Sequence, residues 1–346
     1  MAASNTPFVG VIGTGIYLPK HTRSAAQIAA MTNGVWTEEA VIKKLGIKQI
    51  YLPGEHDGTQ EMAAKAAKDL MERHQIDPTS IDVILSIGEE WKEYPLTTSA
   101  LYVQDQIGAV NAWGIDLANR CSTGVSAFKM AKDMLLADEE ITRILVVGGY
   151  RNGDFVDYSD RHMSMMYNLS AGAGAILFEK NYPHNILLGS HIIADGSLAR
   201  TAGVKYGGTK HPITQENLDV AYKSLKLMEP EKMKTRLNEV SMDNWFTCID
   251  EALRKSALSR DDIDYLAILH IKRSGHLAML DALGLSEAQT IYLEDYGHMG
   301  QIDQILSLHL ALNQGTIKVG DHIVMIAAGI GYVWGASVIE WGPKRD

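Results

Sequence analysis

Two cysteines in 346 residues are too few for a disulfide framework, and a chain so poor in them fits a reducing compartment, the cytoplasm. Basic residues are also in short supply. Thirty-two Lys and Arg stand against 42 Asp and Glu, a formal net charge of −10, and no nucleic acid is expected as partner because such binding needs a basic face. No uncharged apolar run reaches about 18 residues, so no membrane span is expected, and Met1 to Pro7 lack the basic and apolar regions of a signal peptide. No His, Cys or Asp cluster has ligand spacing, so no metal is expected. The Gly13-Thr14-Gly15 stretch lacks the third glycine and following helix of a dinucleotide site.

What is present is a chain with 46% hydrophobic and 21% charged residues, ordinary for a soluble globular enzyme. Strand and helix patterns alternate. Phe8 to Gly13 reads as a strand with Gly13 to Pro19 as the loop leaving it, Thr59 to His74 as a helix, and Ile81 to Ser86, Ile144 to Gly148 and Ala173 to Phe178 as strands. This rhythm predicts a layered α/β fold. The segments Ile81–Leu85, Gln106–Gly108 and Ile144–Gly148 recur as Ile263–Leu269, Ala282–Gly284 and Ile323–Gly329, at offsets of about 180 residues, as an internal duplication would produce. The reading divides the chain near Asn181, into halves 1–180 and 181–346.

Cys121 stands where the apolar Ile115–Leu117 gives way to a small-residue turn and then to Val125–Leu136, a pattern that suits a buried helix. A thiol at a helix N-terminus faces unpaired backbone N–H groups and the positive end of the dipole, which favours the thiolate. Most free cysteines are plain packing residues, the reading taken for Cys248 on its amphipathic helix. The duplication sets Cys121 opposite the loop Asp295–Gly300, and so raises His298 beside it.

In order and spacing, Ile12–Pro19, the cysteine turn, Ser170–Ala175, Leu269-His270, Gly297-His298 and Gly329–Gly335 resemble the thiolase superfamily. The likeness is to its β-ketoacyl carrier-protein synthase III branch and the related 3-hydroxy-3-methylglutaryl-CoA synthases. The resemblance implies a thiolase-like α/β fold with two βα halves in five αβαβα layers. It implies a nucleophile at Cys121 and a histidine closing a strand at His270, whose neutral imidazole would donate to a thioester oxygen. His298 departs from the family asparagine. An imidazole there still donates, but it also titrates.

Glu90, 18 residues before Gly108, matches the catalytic glutamate of the hydroxymethylglutaryl-CoA synthases, and burial would raise its pKa for acid or base work. The solvated-loop reading of Glu89–Glu93 stands beside it. Trp36 resembles the tryptophan that packs on the CoA adenine. Lys272 and Arg273 would meet phosphates of CoA or a carrier protein, with Arg120 and Arg151 as weaker versions, and the N–H groups of Cys121 and Ile330 would form the oxyanion hole. His276 and His309 read as helix-surface residues, and Met163, Met165 and Met166 as an acyl-pocket wall or core.

The leading expectation is an acyltransferase that forms a carbon–carbon bond by Claisen condensation through acyl-Cys121, with His270, His298 and Glu90 assisting. Alternatives are transfer of the acyl group to an alcohol, amine or water, or carbon–carbon cleavage in reverse. No bound cofactor is expected, since acyl-CoA or acyl carrier-protein thioester is the substrate, and the expected assembly is a homodimer or a pair with a thiolase-like partner.

Overall fold

The computed structural model describes residues 6–88 and 90–345; Glu89, in the charged loop, lies outside them. Its strands in chain order are β1 (Val9–Tyr17), β2 (His21–Ser24), β3 (Gln49–Leu52), β4 (Val83–Ser86), β5 (Trp113–Asp116), β6 (Arg143–Tyr150), β7 (Gly172–Lys180), β8 (His184–Ala194), β9 (Ala202–Val204), β10 (Leu225–Leu227), β11 (Tyr265–Ile268), β12 (His322–Gly329) and β13 (Val333–Pro343). Nine of them form one sheet in the order β11-β12-β13-β8-β1-β7-β6-β4-β5, while β2–β3 and β9–β10 are separate two-stranded pairs.

Apart from edge strand β5, the sheet is a palindrome about its middle. From β1 outward run β7, β6 and β4, and from β8 outward run β13, β12 and β11. β4 and β6 pair in parallel, as β11 and β12 do, and the remaining neighbours of these series are antiparallel. β1 and β8 meet at the single pair Gly10↔Ile186.

Helix packing supplies the layers. Helix Thr59–His74 covers one half-sheet through β1, β6 and β7, and helix Pro230–Lys255 covers the other through β8, β12 and β13. Helices Thr123–Ala137 and Asp303–Asn313 touch strands of both halves. The order is helix, half-sheet, paired helices, half-sheet, helix, the five layers expected, with the two half-sheets joined through β1 and β8. Both central helices are heavily buried, eight of fifteen residues in the first and eight of eleven in the second, among them Val125, Phe128, Ala131, Leu135, Ile305, Leu306 and Leu308, as elements packed on two sides must be.

Helix Thr59–His74 has the bounds read from the sequence, but β1 runs on to Tyr17, through residues taken above as loop. Glycine is the reason the sequence misleads there. A Cβ at Gly15 would stand 2.3 Å from the Ala66 carbonyl and 2.5 Å from the Leu70 nitrogen, so Gly15 marks a close helix-on-strand approach rather than a turn.

Candidate active site

Beyond β5 the chain passes through Leu117–Asn119 into a 3₁₀ turn, Arg120–Ser122, and directly into helix Thr123–Ala137. Thr123 fastens the turn: its Oγ1 accepts from the Asn119 N–H at 2.7 Å and donates to the Arg120 carbonyl at 2.6 Å. Arg120 is held at φ 53°, a left-handed conformation that costs a non-glycine residue about 1 kcal/mol. Cys121 follows, 8% exposed. From the other half the end of β12 closes on this turn, where a Cβ at Gly329 would lie 2.6 Å from the Asn119 carbonyl. Only glycine allows that approach, and it brings the Gly329–Ile330 main chain alongside the cysteine.

His298 arrives from the second half. Its Nε2 lies 3.2 Å from Cys121 Sγ, and its Nδ1 lies 2.6 Å from Asp303 Oδ2. Because the carboxylate accepts at Nδ1, that nitrogen carries a proton, and Nε2 is left to exchange one with the sulfur. Asp303 is fully buried at the start of helix Asp303–Asn313. A bare carboxylate there would be very costly, but Oδ1 accepts from the Met299 N–H at 2.7 Å and Oδ2 also accepts from the His270 N–H at 2.7 Å. Burial alone would oppose a charged His298. The Asp303 carboxylate and the Cys121 sulfur outweigh it and hold the imidazole pKa well above the ordinary histidine value.

His270, expected to reach a substrate oxygen, is engaged elsewhere. Its Nε2 lies 3.0 Å from the Gly46 carbonyl and its Nδ1 lies 2.9 Å from Asn168 Nδ2. A carbonyl only accepts, so Nε2 bears the ring proton and Nδ1 takes the Asn168 amide. Burial pushes the pKa of His270 down to about 4. The ring is the neutral imidazole anticipated, but its donor is committed to the main chain and stacks under Tyr292, ring centres 5.2 Å apart.

Glu90 is not the buried acid that the sequence suggested. Its side chain is 73% exposed and pairs with Arg120 Nη2 at 2.9 Å, so the loop reading holds. Trp36 packs edge-on against Tyr167, centres 6.4 Å apart. Arg273 lies 4.7 Å over the Tyr292 ring and pairs with Glu287, whereas Lys272 is exposed at the N-cap of helix Arg273–Leu283. Arg151 binds Asp154 at 2.8 Å.

Met163 and Met166 are buried in the central core, and Met165 packs against both that core and the cluster containing Cys121. His276 and His309 are both buried, against the surface reading: His309 Nδ1 lies 3.0 Å from Thr14 Oγ1, while the His276 ring turns inward against Tyr292 with neither nitrogen hydrogen-bonded. Cys248 is core, its thiol pushed up to about 12 by burial. Sequence reasoning missed Asp303, Asn168 and the Gly46 carbonyl. Asp303 had a local signal, an acid at a helix start five residues after His298.

Among the described residues no group of three or more His, Cys, Asp or Glu side chains could hold a metal, and no helix is long and apolar enough to cross a membrane.

A mirrored sheet in five layers, with a cysteine turn from one half meeting a histidine from the other, defines a thiolase-type fold and site. Residues 115–196 match the family model of 3-oxoacyl-[acyl-carrier-protein] synthase III, and residues 253–341 match that of its C-terminal part. A β-ketoacyl-[acyl-carrier-protein] synthase III of Azobacteroides pseudotrichonymphae is 29% identical over 339 residues, 96% of this chain and 97% of the relative. The 3-oxoacyl-[acyl-carrier-protein] synthase III structure from Aquifex aeolicus superposes with TM-score 0.80 at 22% identity, over 96% of this chain and all of that one. A priming β-ketosynthase of a polyketide pathway gives TM-score 0.83 at 20% identity, over 99% of both chains. The chain belongs to the thiolase superfamily, in its β-ketoacyl carrier-protein synthase III-like branch.

Proposed function

We propose that this protein is an acyl-thioester-dependent condensing enzyme working through acyl-Cys121. The observation that carries the reading is the contact of His298 Nε2 with Cys121 Sγ at 3.2 Å. The thiol proton passes to Nε2, and Sγ attacks the carbonyl of an acyl-CoA or acyl carrier-protein thioester. The N–H groups of Cys121 and Ile330 receive the developing oxyanion. The departing thiolate takes the proton back from Nε2, leaving acyl-Cys121. A second thioester then loses either carbon dioxide or an α-proton, the latter to the free Nε2; the α-carbanion so formed attacks the acyl carbonyl, a carbon–carbon bond forms, the acyl–sulfur bond breaks, and the cysteine thiolate leaves to be reprotonated.

The division of labour between halves 1–180 and 181–346 fits this reading, with the nucleophile on one and its base on the other. Trp36 and Lys272 remain the proposed contacts for a CoA or carrier phosphate arm; Arg273 would first have to leave Glu287. A homodimer is supported by edge strand β5, where Trp113 and Ile115 are 51% and 43% exposed, an apolar edge that a solitary sheet rarely leaves bare.

A second reading is favoured by the commitment of His270 Nε2 to the Gly46 carbonyl. With that donor occupied, an enolate loses one of its stabilising groups, while His298 can still deprotonate an alcohol, an amine or water for transfer of the acyl group. Native and denaturing mass spectrometry test both. Incubation with acyl-CoAs is expected to add one acyl mass to wild type and none to Cys121→Ala. Discharge by malonyl-CoA, acetyl-CoA or acetoacetyl-CoA into a longer product supports condensation, and discharge only into heteroatom acceptors supports the second reading. No adduct at all would overturn both, and a monomeric native mass would remove the homodimer.

A further inference from the structure

The mechanism above uses Cys121 and His298 and leaves unexplained a fully buried carboxylate that touches both histidine segments. Asp303 Oδ2 accepts from the His298 ring at 2.6 Å and from the His270 main-chain N–H at 2.7 Å, and its Oδ1 accepts from Met299 N–H at 2.7 Å. We infer that Asp303 is a positioning residue that makes His298, rather than His270, the proton acceptor for Cys121, and that holds the two histidine segments in register. The inference rests on Cys121 being the nucleophile, but it concerns a residue that never reaches the reacting atoms.

The geometry gives each contact a purpose. A carboxylate at Nδ1 fixes the tautomer that presents Nε2 to the sulfur, and it offsets the positive charge that appears on the ring when the thiol proton arrives. His270 touches the same carboxylate only through its main chain, so its ring gains no such partner. Asn168 completes the separation: its carbonyl accepts from the His298 N–H at 2.8 Å while its side-chain amide donates to His270 Nδ1. A pair of titratable groups whose surroundings drive them apart is the pattern expected of an assigned acid–base pair. The direction of each shift agrees, upward at His298 and downward at His270.

Among the described residues, the ionisable groups facing His298 are Cys121 from the 3₁₀ turn, Asp303 from the helix start, His270 just past β11 and Tyr150 from β6, whose ring centre is 6.1 Å away. Tyr332, the residue before β13, has its phenol pushed up to about 12 by burial, with Cys121 adding to the rise. The Arg120–Glu90 pair lies on the exposed side of the cysteine turn. Of these, Asp303 supplies the only carboxylate bonded to the His298 ring.

The test is the pH profile of Cys121 alkylation by iodoacetamide, in which Sγ bonds to the methylene carbon, iodide leaves and the thiol proton goes to Nε2. Absence of labelling on Cys121, judged against Cys121→Ala, would remove the nucleophile reading itself. Given labelling, Asp303→Asn keeps the shape of the side chain but lacks its charge, and is expected to slow alkylation at least tenfold at pH 6.5 and to move the half-point up by at least one pH unit. In a His298→Asn background the same change is expected to add less than a twofold effect, since no imidazole is left to orient. A folded Asp303→Asn enzyme with the wild-type profile would overturn the inference, as would a further large loss in the His298→Asn background. Should Asp303→Asn not fold, proton NMR of wild type decides. A strongly downfield His298 Nδ1 proton, absent from His298→Asn, is expected, and its absence from wild type would equally overturn the proposal.

Discussion

His270 and His298 are both almost wholly buried and share one carboxylate, yet they differ in almost every chemical respect. His298 meets Asp303 with its ring and turns its other nitrogen to the sulfur. His270 meets Asp303 with its main chain and turns its ring to an amide and a carbonyl. Burial alone yields a neutral imidazole; burial beside a carboxylate yields one that holds a proton. Which atom of a residue faces the charge therefore decides its chemistry, and residue type or depth does not.

The largest expected effect separates the two directly. His298→Ala removes the proton acceptor, and single-turnover acylation of Cys121 from an acyl-CoA is expected to slow by about 10²–10⁴. His270→Ala instead strands the Asn168 amide and the Gly46 carbonyl and leaves a cavity under Tyr292. Its expected cost is stability, about 2–4 kcal/mol by urea unfolding, with acylation per folded molecule slowed far less than in His298→Ala. Equal losses of acylation in two well-folded variants would break the comparison and return His270 to the reacting centre.

Much of this was legible in the sequence, and the parts that were not have physical reasons. The cysteine turn could be read because a strand, small residues and an apolar helix follow one another within about twenty residues, and the duplication brought His298 opposite it. Asp303 was hidden because an acid at a helix start normally serves the helix dipole in solvent, and only the tertiary fold shows it buried with three donors. Asn168 and the Gly46 carbonyl lie 102 and 224 residues from His270, beyond any local pattern. His276 was misplaced because its helix is amphipathic and histidine is usually exposed. Nothing local reveals that Tyr292 would cover it.

His276 sharpens the same comparison at intermediate size. Burial lowers both His276 and His270 to about 4 from an ordinary value of 6.5, so between those pH values the unfolded chain binds more protons than the folded one. Stability is thus fully present above pH 6.5 and declines as pH falls toward 4, by at most about 3 kcal/mol for each histidine. His298, with its raised pKa, contributes nothing to that decline, because it is protonated in both states at the acid end. Replacing His276 by Leu leaves no unmatched nitrogen behind. It is expected to change stability at pH 7.5 by less than about 1 kcal/mol and to flatten the acid decline by roughly half. An unchanged slope in urea titrations from pH 7.5 to 4.5 would show that His276 is not buried neutral.

The smallest effect is expected at Glu90, where exposure decides the matter. A carboxylate 73% open to water and paired with an arginine 41% open is worth at most about 1 kcal/mol. Glu90→Gln is therefore expected to leave acyl-Cys121 formation within about twofold of wild type and stability within about 1 kcal/mol. The informative measurement separates loading from turnover. If Glu90→Gln loads normally but condenses two orders of magnitude more slowly, a carboxylate that is solvated beside Arg120 must reach the second thioester during the carbon–carbon step, and the contrast between a buried and an exposed acid, on which Asp303 and Glu90 are told apart, would have to be drawn for the acylated enzyme instead.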